Sequence, residues 1–269
     1  MEPTVRLTLD QIERMPPEAL ALELLQRLPE RQAVRRDRFL FEVLNESRPR
    51  HPAGSMTVTH SDALMQEHPA AVMSLVEGWQ RLVLDGLLVD WPPKDRQYTT
   101  EGHGEMYQLT RWGRQVRGRG GDGSALIAAR RRLGVELHPH LAGRLRDAVS
   151  VGAFEQAALL ALRAIEARVR DLTGDPRGKR GERLTGTGLM QHAFASESGP
   201  LADPDAEPGE RVGTMNLFAG AFGAVRNGLV HTEVEWSDPI EAAEYVLLAD
   251  LLMRQLDRAE RRVVRGAGK

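Results

Sequence analysis

Three residues in the C-terminal third, Arg226, Asn227 and His231, are of types that carry chemistry and are spaced to act together. An imidazole with an unperturbed pKa of about 6.5 exchanges protons near neutral pH. A guanidinium is permanently charged and grips an oxyanion through two N–H groups at once. An amide donates and accepts, so it can orient either neighbour. On a helical wheel Phe218, Phe222 and Leu229 fall within about 60° of Val225 and mark the buried face, from which Asn227 and His231 point away. A histidine off the apolar stripe calls for a polar neighbour, a groove or a partner subunit. Gly228 would let the helix deform so that Arg226 and His231 approach one another. The alternative reading of the trio is solvated surface.

A second cluster is Arg177-Gly178-Lys179-Arg180-Gly181-Glu182-Arg183, glycine-rich and basic. It lacks the G-x-x-x-x-G-K-[ST] string of a phosphate-cradling P-loop, and it reads as a loop following a helix. A third stretch, Arg111 to Arg132, holds seven arginines against the single acid Asp122, around a Gly-rich run from Gly118 to Gly123, and reads as a basic, flexible connector. These clusters are local. The net charge is -2, with 21 Lys/Arg against 20 Asp/Glu over residues 1–150 and 15 against 18 over 151–269, so neither half is a polycation.

Zero cysteines exclude disulfides, thiolate catalysis and cysteine-containing zinc sites. There is no H-E-x-x-H, and His60, His68 and His103 lack ligand spacing, so neither a metal nor a cofactor is expected. Residues 1–9 have no apolar core of the signal-peptide kind, and no run approaches the ~18 apolar residues of a membrane span, which reads as a cytoplasmic protein without a membrane partner. The preference for Arg, Ala and Gly over Lys suggests a high-GC bacterial source.

The elements that must position these groups are mostly helical. Leu20, Leu22, Leu24, Leu25 and Leu28 follow Pro16-Pro17, and a second stretch ends at Phe39-Leu40-Phe41-Leu44. Leu64, Val72, Leu75, Val76, Trp79, Leu82 and Val83 recur at helical spacing and close on Asp85-Gly86. Leu87–Trp91 and Met106–Leu109 read as strands flanking a long polar tip, and Thr110 as an N-cap. Phe154, Ala158, Ala161, Leu162, Ile165, Val169 and Leu172 mark a long helix ended by Gly174-Asp175-Pro176. Leu189–Phe194 is a short helix, Ser198 to Gly209 a loop, and Met215–His231 a helix. Asp238 caps the last helix, with Pro239 at N1 and Glu241 at N3.

Helix, Gly86-Leu87-Leu88, strand, polar loop, strand and Leu109-Thr110-Arg111-Trp112-Gly113 resembles a winged-helix domain over residues 55–118. The resemblance implies contact with duplex DNA or with protein. Lys94, Arg96, Arg111 and Arg114 are the phosphate candidates on the wing side, since the helix before Gly86 carries Arg81 against Glu67, Glu77 and Asp85.

The segment with Leu189-Met190, Ala193-Phe194, Gly199-Pro200-Leu201, Asp203, Gly209-Glu210, Leu217-Phe218, Gly220-Ala221, Gly223, Arg226-Asn227, His231 and Glu241-Ala242 resembles the Ymh-type family of uncharacterised bacterial proteins, over about residues 150–258. That family looks like a branch of the HEPN superfamily, helical bundles with an R-x(4-6)-H motif. Gly228 stands where the family commonly has proline, and Glu233 where a toxin branch has tyrosine. The resemblance implies metal-independent RNA cleavage across a homodimer or larger homo-oligomer, with Arg226, Asn227 and His231 catalytic and Lys179, Arg180 and Arg183 holding the RNA backbone.

The expected fold is therefore mainly α: an N-terminal winged-helix-like α+β domain followed by a C-terminal HEPN-like all-α helical bundle. The expected divisions are an N-terminal helical segment 1–54, a winged-helix-like domain 55–118, a basic Gly/Arg-rich linker with short helices 119–149, and a helical domain 150–265. The expected function is an endoribonuclease, a phage-defence or toxin-like effector with a winged-helix sensor or tether. A non-enzymatic DNA-binding regulator that dimerises through its helical domain, and a protein-interaction adaptor, are the alternatives.

Overall fold

The computed structural model describes residues 6–48, 66–91, 105–134, 136–231 and 238–267, with side chains throughout except at 225–231 and 265–267. The protein is mainly α, with one small three-stranded sheet among the described residues. It divides into two compact units, Met1–Ile127 and Ala128–Lys269.

The first unit begins with α1 (Leu9–Arg14), α2 (Pro17–Arg27), the two-residue strand β1 (Val34–Arg35) and α3 (Arg36–Glu46). It continues with α4 (Pro69–Leu84), β2 (Leu88–Asp90), β3 (Met106–Leu109) and α5 (Arg111–Gly118). Thr8 starts α1 with a reciprocal capping box to Gln11, and Thr110 Oγ1 caps α5 by accepting from the Gly113 N–H at 2.9 Å. The antiparallel sheet runs β1-β3-β2, with Val34 opposite Tyr107 and Leu88 opposite Leu109.

Trp79, on the inner side of α4, ties this unit together. Its ring lies 5.5 Å from Phe39 of α3 and meets Tyr107 of β3 edge-on at 5.3 Å. Gly78 beside it allows α2 to approach, since a Cβ there would stand 3.1 Å from Leu20 Cγ. The helices of residues 9–46 thus share one core with α4, and the expected break at residues 54/55 separates no two cores. β1 was not expected at all, because two residues are too short to show an alternating pattern.

A 3-10 turn (Gly120–Asp122) and α6 (Gly123–Arg132) follow in place of a flexible connector. The reason is the apolar side of α6, where Leu126, Ile127 and Ala129 are buried.

The second unit comprises α7 (Pro139–Ser150), α8 (Phe154–Thr173), α9 (Gly186–Phe194), α10 (Pro208–His231) and α11 (Pro239–Ala267). α8 is central, packed by α7, α9 and α11, and α9 packs on α10. Gly174 ends α8 in the left-handed conformation (φ 74°), and the Asp238 carboxylate caps α11 by accepting from the Ile240 N–H at 2.8 Å. α10 starts earlier than expected, at Pro208, a residue whose fixed φ suits a first helical turn.

Candidate functional site

The Arg226, Asn227 and His231 backbones belong to the last turns of α10, and their side chains lie outside the described residues. What can be located is the end of the bundle at which they stand. Phe194 of α9 stacks on Phe218 of α10 with ring centroids 4.0 Å apart. Seven residues back on α9's side and five forward on α10's, a Cβ on Gly223 would lie 3.7 Å from Thr187 Oγ1. Falling numbers on α9 therefore meet rising numbers on α10, and the pair is antiparallel. The first turn of α9 is level with Gly223. Arg226 follows about 4.5 Å further along the helix axis and His231 about 12 Å beyond Gly223, at 1.5 Å per residue.

The basic cluster at 177–183 leads directly into that first turn of α9. It is a tight hairpin. Arg177 bridges Arg183, the Gly178 N–H donates to Glu182 O at 2.8 Å, and the Gly181 N–H donates to Gly178 O at 3.0 Å. Gly181 has φ 79°, which a β-carbon would strain. Asp175 at its base gathers three arginines: Arg183 Nε at 2.7 Å, Arg170 Nε at 3.4 Å and Arg177 Nη2 at 3.5 Å. The hydrogen bond from Arg183, aided by the charges of Arg177 and Arg170, holds the Asp175 carboxyl below its ordinary pKa. Arg170 also pairs with Glu166, one turn back, at 2.7 Å. Lys179 and Arg180 stand exposed at the tip, and among the described residues neither is in an ion pair. Of the expected RNA contacts, Lys179 and Arg180 are thus available, whereas Arg183 is engaged by Asp175. Asp175 itself was read only as a helix terminator.

In the first unit Arg111 and Arg114 are exposed on α5, and Arg114 Nη1 donates to Leu109 O at 2.7 Å. Lys94 and Arg96 lie outside the described residues. The outward side of α4 offers Met73, Glu77, Gln80, Val83 and Leu84, with Leu84 75 % exposed and no base among them. Arg81 is shared by Glu18 at 3.5 Å and Asp85 at 3.6 Å.

A network that sequence reading missed joins three parts of the second unit. His138, 5 % exposed, caps α7 by accepting the His140 N–H at Nδ1, and its Nε2 lies 2.9 Å from Asp257 Oδ2. Arg168 Nη2 donates to Asp257 Oδ1 at 2.5 Å and to Glu260 Oε2 at 2.6 Å. The His138 N–H donates to Asp250 Oδ1 at 2.5 Å, and Arg254 bridges Asp250 at 2.7 Å and Glu136 O at 3.0 Å. Burial raises the Asp257 pKa, but the hydrogen bonds from His138 and Arg168 outweigh it and leave the carboxyl below its ordinary value. No motif flags these residues, because the partners are separated by 89 and 119 positions in sequence.

Among the described residues no group of three or more His, Asp or Glu is placed to hold a metal ion, and no helix is long and apolar enough to cross a membrane. Residues 135–256 match a family described as a protein of unknown function (Hypoth_ymh). The match supports a Ymh-type assignment for this part of the chain, and it begins early enough to include His138 and α7. No curated protein and no solved structure matches the chain.

Proposed function

Starting from a C-terminal unit of Ymh type, we propose that the protein is a metal-independent endoribonuclease of HEPN type, acting as a phage-defence or toxin-like effector. The observation that carries this reading is the convergence of two elements at one end of the bundle. The antiparallel α9–α10 pair sets the Arg226-x4-His231 end of α10 beside the chain that leaves the basic hairpin. A phosphodiester there meets cations and a proton-transferring group together.

The chemistry balances without a metal. The ribose 2′-oxygen attacks phosphorus while an imidazole takes its proton, and the P–O5′ bond breaks as O5′ receives a proton. A 2′,3′-cyclic phosphate and a 5′-hydroxyl result. His231 of one protomer serves as base and His231 of a second as acid, Arg226 offsets the growing charge on the phosphoryl oxygens, and Asn227 orients the imidazole or the phosphate. A homodimer is favoured by the outward side of α10, where Val212, Gly213, Leu217 and Gly220 are exposed opposite the buried Phe218 and Phe222.

In this reading the first unit is a winged-helix sensor or tether. Its support is the order helix, strand, helix, helix, strand, strand with the sheet β1-β3-β2, an arrangement that brings residues 17–46 into the winged-helix domain. The non-enzymatic DNA-binding regulator is favoured by the exposed Arg111 and Arg114 and opposed by the base-free outward side of α4.

The test is incubation of the full chain with labelled RNA in EDTA, beside His231→Ala and Arg226→Ala. Cleavage by wild type alone, leaving cyclic phosphate ends, is the expected result. Identical traces from all three proteins would overturn the enzyme.

A further inference from the structure

We propose that the hairpin 175–183 is a preorganised clamp for the backbone of single-stranded RNA, with Lys179 and Arg180 as its two phosphate contacts and Asp175 and Arg183 as positioning residues. The identity of the polyanion rests on the ribonuclease reading; the division of labour within the hairpin rests on its geometry.

Each cation of the cluster has a traceable fate. Arg170 is held between Glu166 and Asp175, while Arg177 and Arg183 converge on Asp175. These three are paired with two carboxylates, Glu166 and Asp175, and form the base. Lys179 and Arg180 sit on the turn itself, exposed and outside any ion pair among the described residues. The turn is fixed by backbone bonds at Gly178 and Gly181, and the Glu182 carboxylate accepts from the Arg180 backbone N–H at 2.9 Å. The Glu182 side chain packs over Gly178, where a Cβ would meet its carboxylate. Two free cations on a braced turn lose less freedom on gripping phosphates than the same residues on a slack loop. The hairpin leads into α9, whose first turn is level with Gly223, one turn before Arg226 along α10. The absence of other free bases on the hairpin suits a flexible single strand better than the denser charge of a duplex.

A diffuse basic patch and a built clamp respond oppositely to loss of Asp175. Removing an acid makes the surface more positive, so a patch binds RNA more tightly. A clamp loses its brace and binds more weakly. The assay is fluorescence anisotropy of a short labelled 2′-O-methyl RNA, which cannot be cleaved through its 2′-oxygen, with the full-length protein over a series of salt concentrations.

Lys179→Ala and Arg180→Ala are expected to weaken binding several-fold, each flattening the slope of log K against log salt by about 0.7. Asp175→Asn is expected to weaken binding, and Arg183→Ala to weaken it with a smaller slope change, recovered in Arg183→Lys. Wild-type affinity and slope in both tip variants, tighter binding by Asp175→Asn, absence of RNA binding, or equal affinity for a DNA duplex would each overturn the clamp. Failure of the nuclease is read separately: tip-dependent binding without cleavage leaves the clamp and removes the enzyme, and cleavage with tip-independent binding does the reverse.

Discussion

Asp257 receives Arg168 on one carboxylate oxygen at 2.5 Å and His138 on the other at 2.9 Å, so a single side chain of α11 fastens both α8 and the segment entering α7. The Arg168 side chain is 12 % exposed and that of His138 6 %, and neither can turn to water for compensation. Asp257→Ala is expected to lower stability by about 2–4 kcal/mol, since truncating one partner strands the others in a low-dielectric setting. Urea unfolding followed by circular dichroism reads this, and a change below about 0.5 kcal/mol would show the network to be dispensable.

The same carboxylate predicts a pH dependence. Its pKa is lower in the folded protein than in the unfolded chain. Its contribution is therefore complete above the unfolded value, about 3.9, and is lost as pH falls through the folded one. Wild type should lose stability below about pH 4 more steeply than Asp257→Asn, which has no proton to gain there. Parallel acid-unfolding curves for the two proteins would refute the assignment.

In the first unit a Cβ on Gly113 would sit 2.2 Å from Leu87 O, a backbone atom that also accepts from the Thr110 N–H at 3.0 Å. Gly113→Ala should cost about 1–3 kcal/mol, because α5 must shift away from the β2 end to admit one methyl group. Intrinsic fluorescence of Trp79 and Trp112 should report the loss. A variant as stable as wild type would mean that α5 has room to move.

Two positions on α4 should respond oppositely. Trp79 is 1 % exposed and touches Phe39 and Tyr107, whereas Leu84 is 75 % exposed. Trp79→Ala is expected to cost about 3–5 kcal/mol. Leu84→Lys should stay within about 0.5 kcal/mol in the isolated chain. A large cost at Leu84 would show that its exposed face is covered.

The helices were legible where an apolar stripe coincides with a cap. α8 ends at Gly174 and α11 starts at Asp238-Pro239, as their spacing predicts, because caps and 3.6-residue periodicity are local properties. β2 and β3 were legible from β-type residues around turn signals. β1 was not, since its strand character comes from pairing with Tyr107 and Met106, more than seventy residues away. The start of α10 was misread because Pro208-Gly209 has the composition of a turn while proline also opens helices. At the candidate site the types and spacing of Arg226 and His231 were local information, and so was the basic character of the hairpin. The commitment of Arg183 to Asp175, which decides which cations remain available, depends on how the chain folds back after Gly174.

His138 is held at both ring nitrogens. Its Nδ1 accepts the His140 N–H at 3.2 Å, and an accepting nitrogen carries no hydrogen. The hydrogen of the neutral imidazole must therefore reside on Nε2, where it points at Asp257, and the ring is confined to one tautomer by contacts at both ends. Nitrogen NMR of the ring would show the Nε2–H form, and that signal would report on the docking of α7 against α11 without any probe attached to the chain.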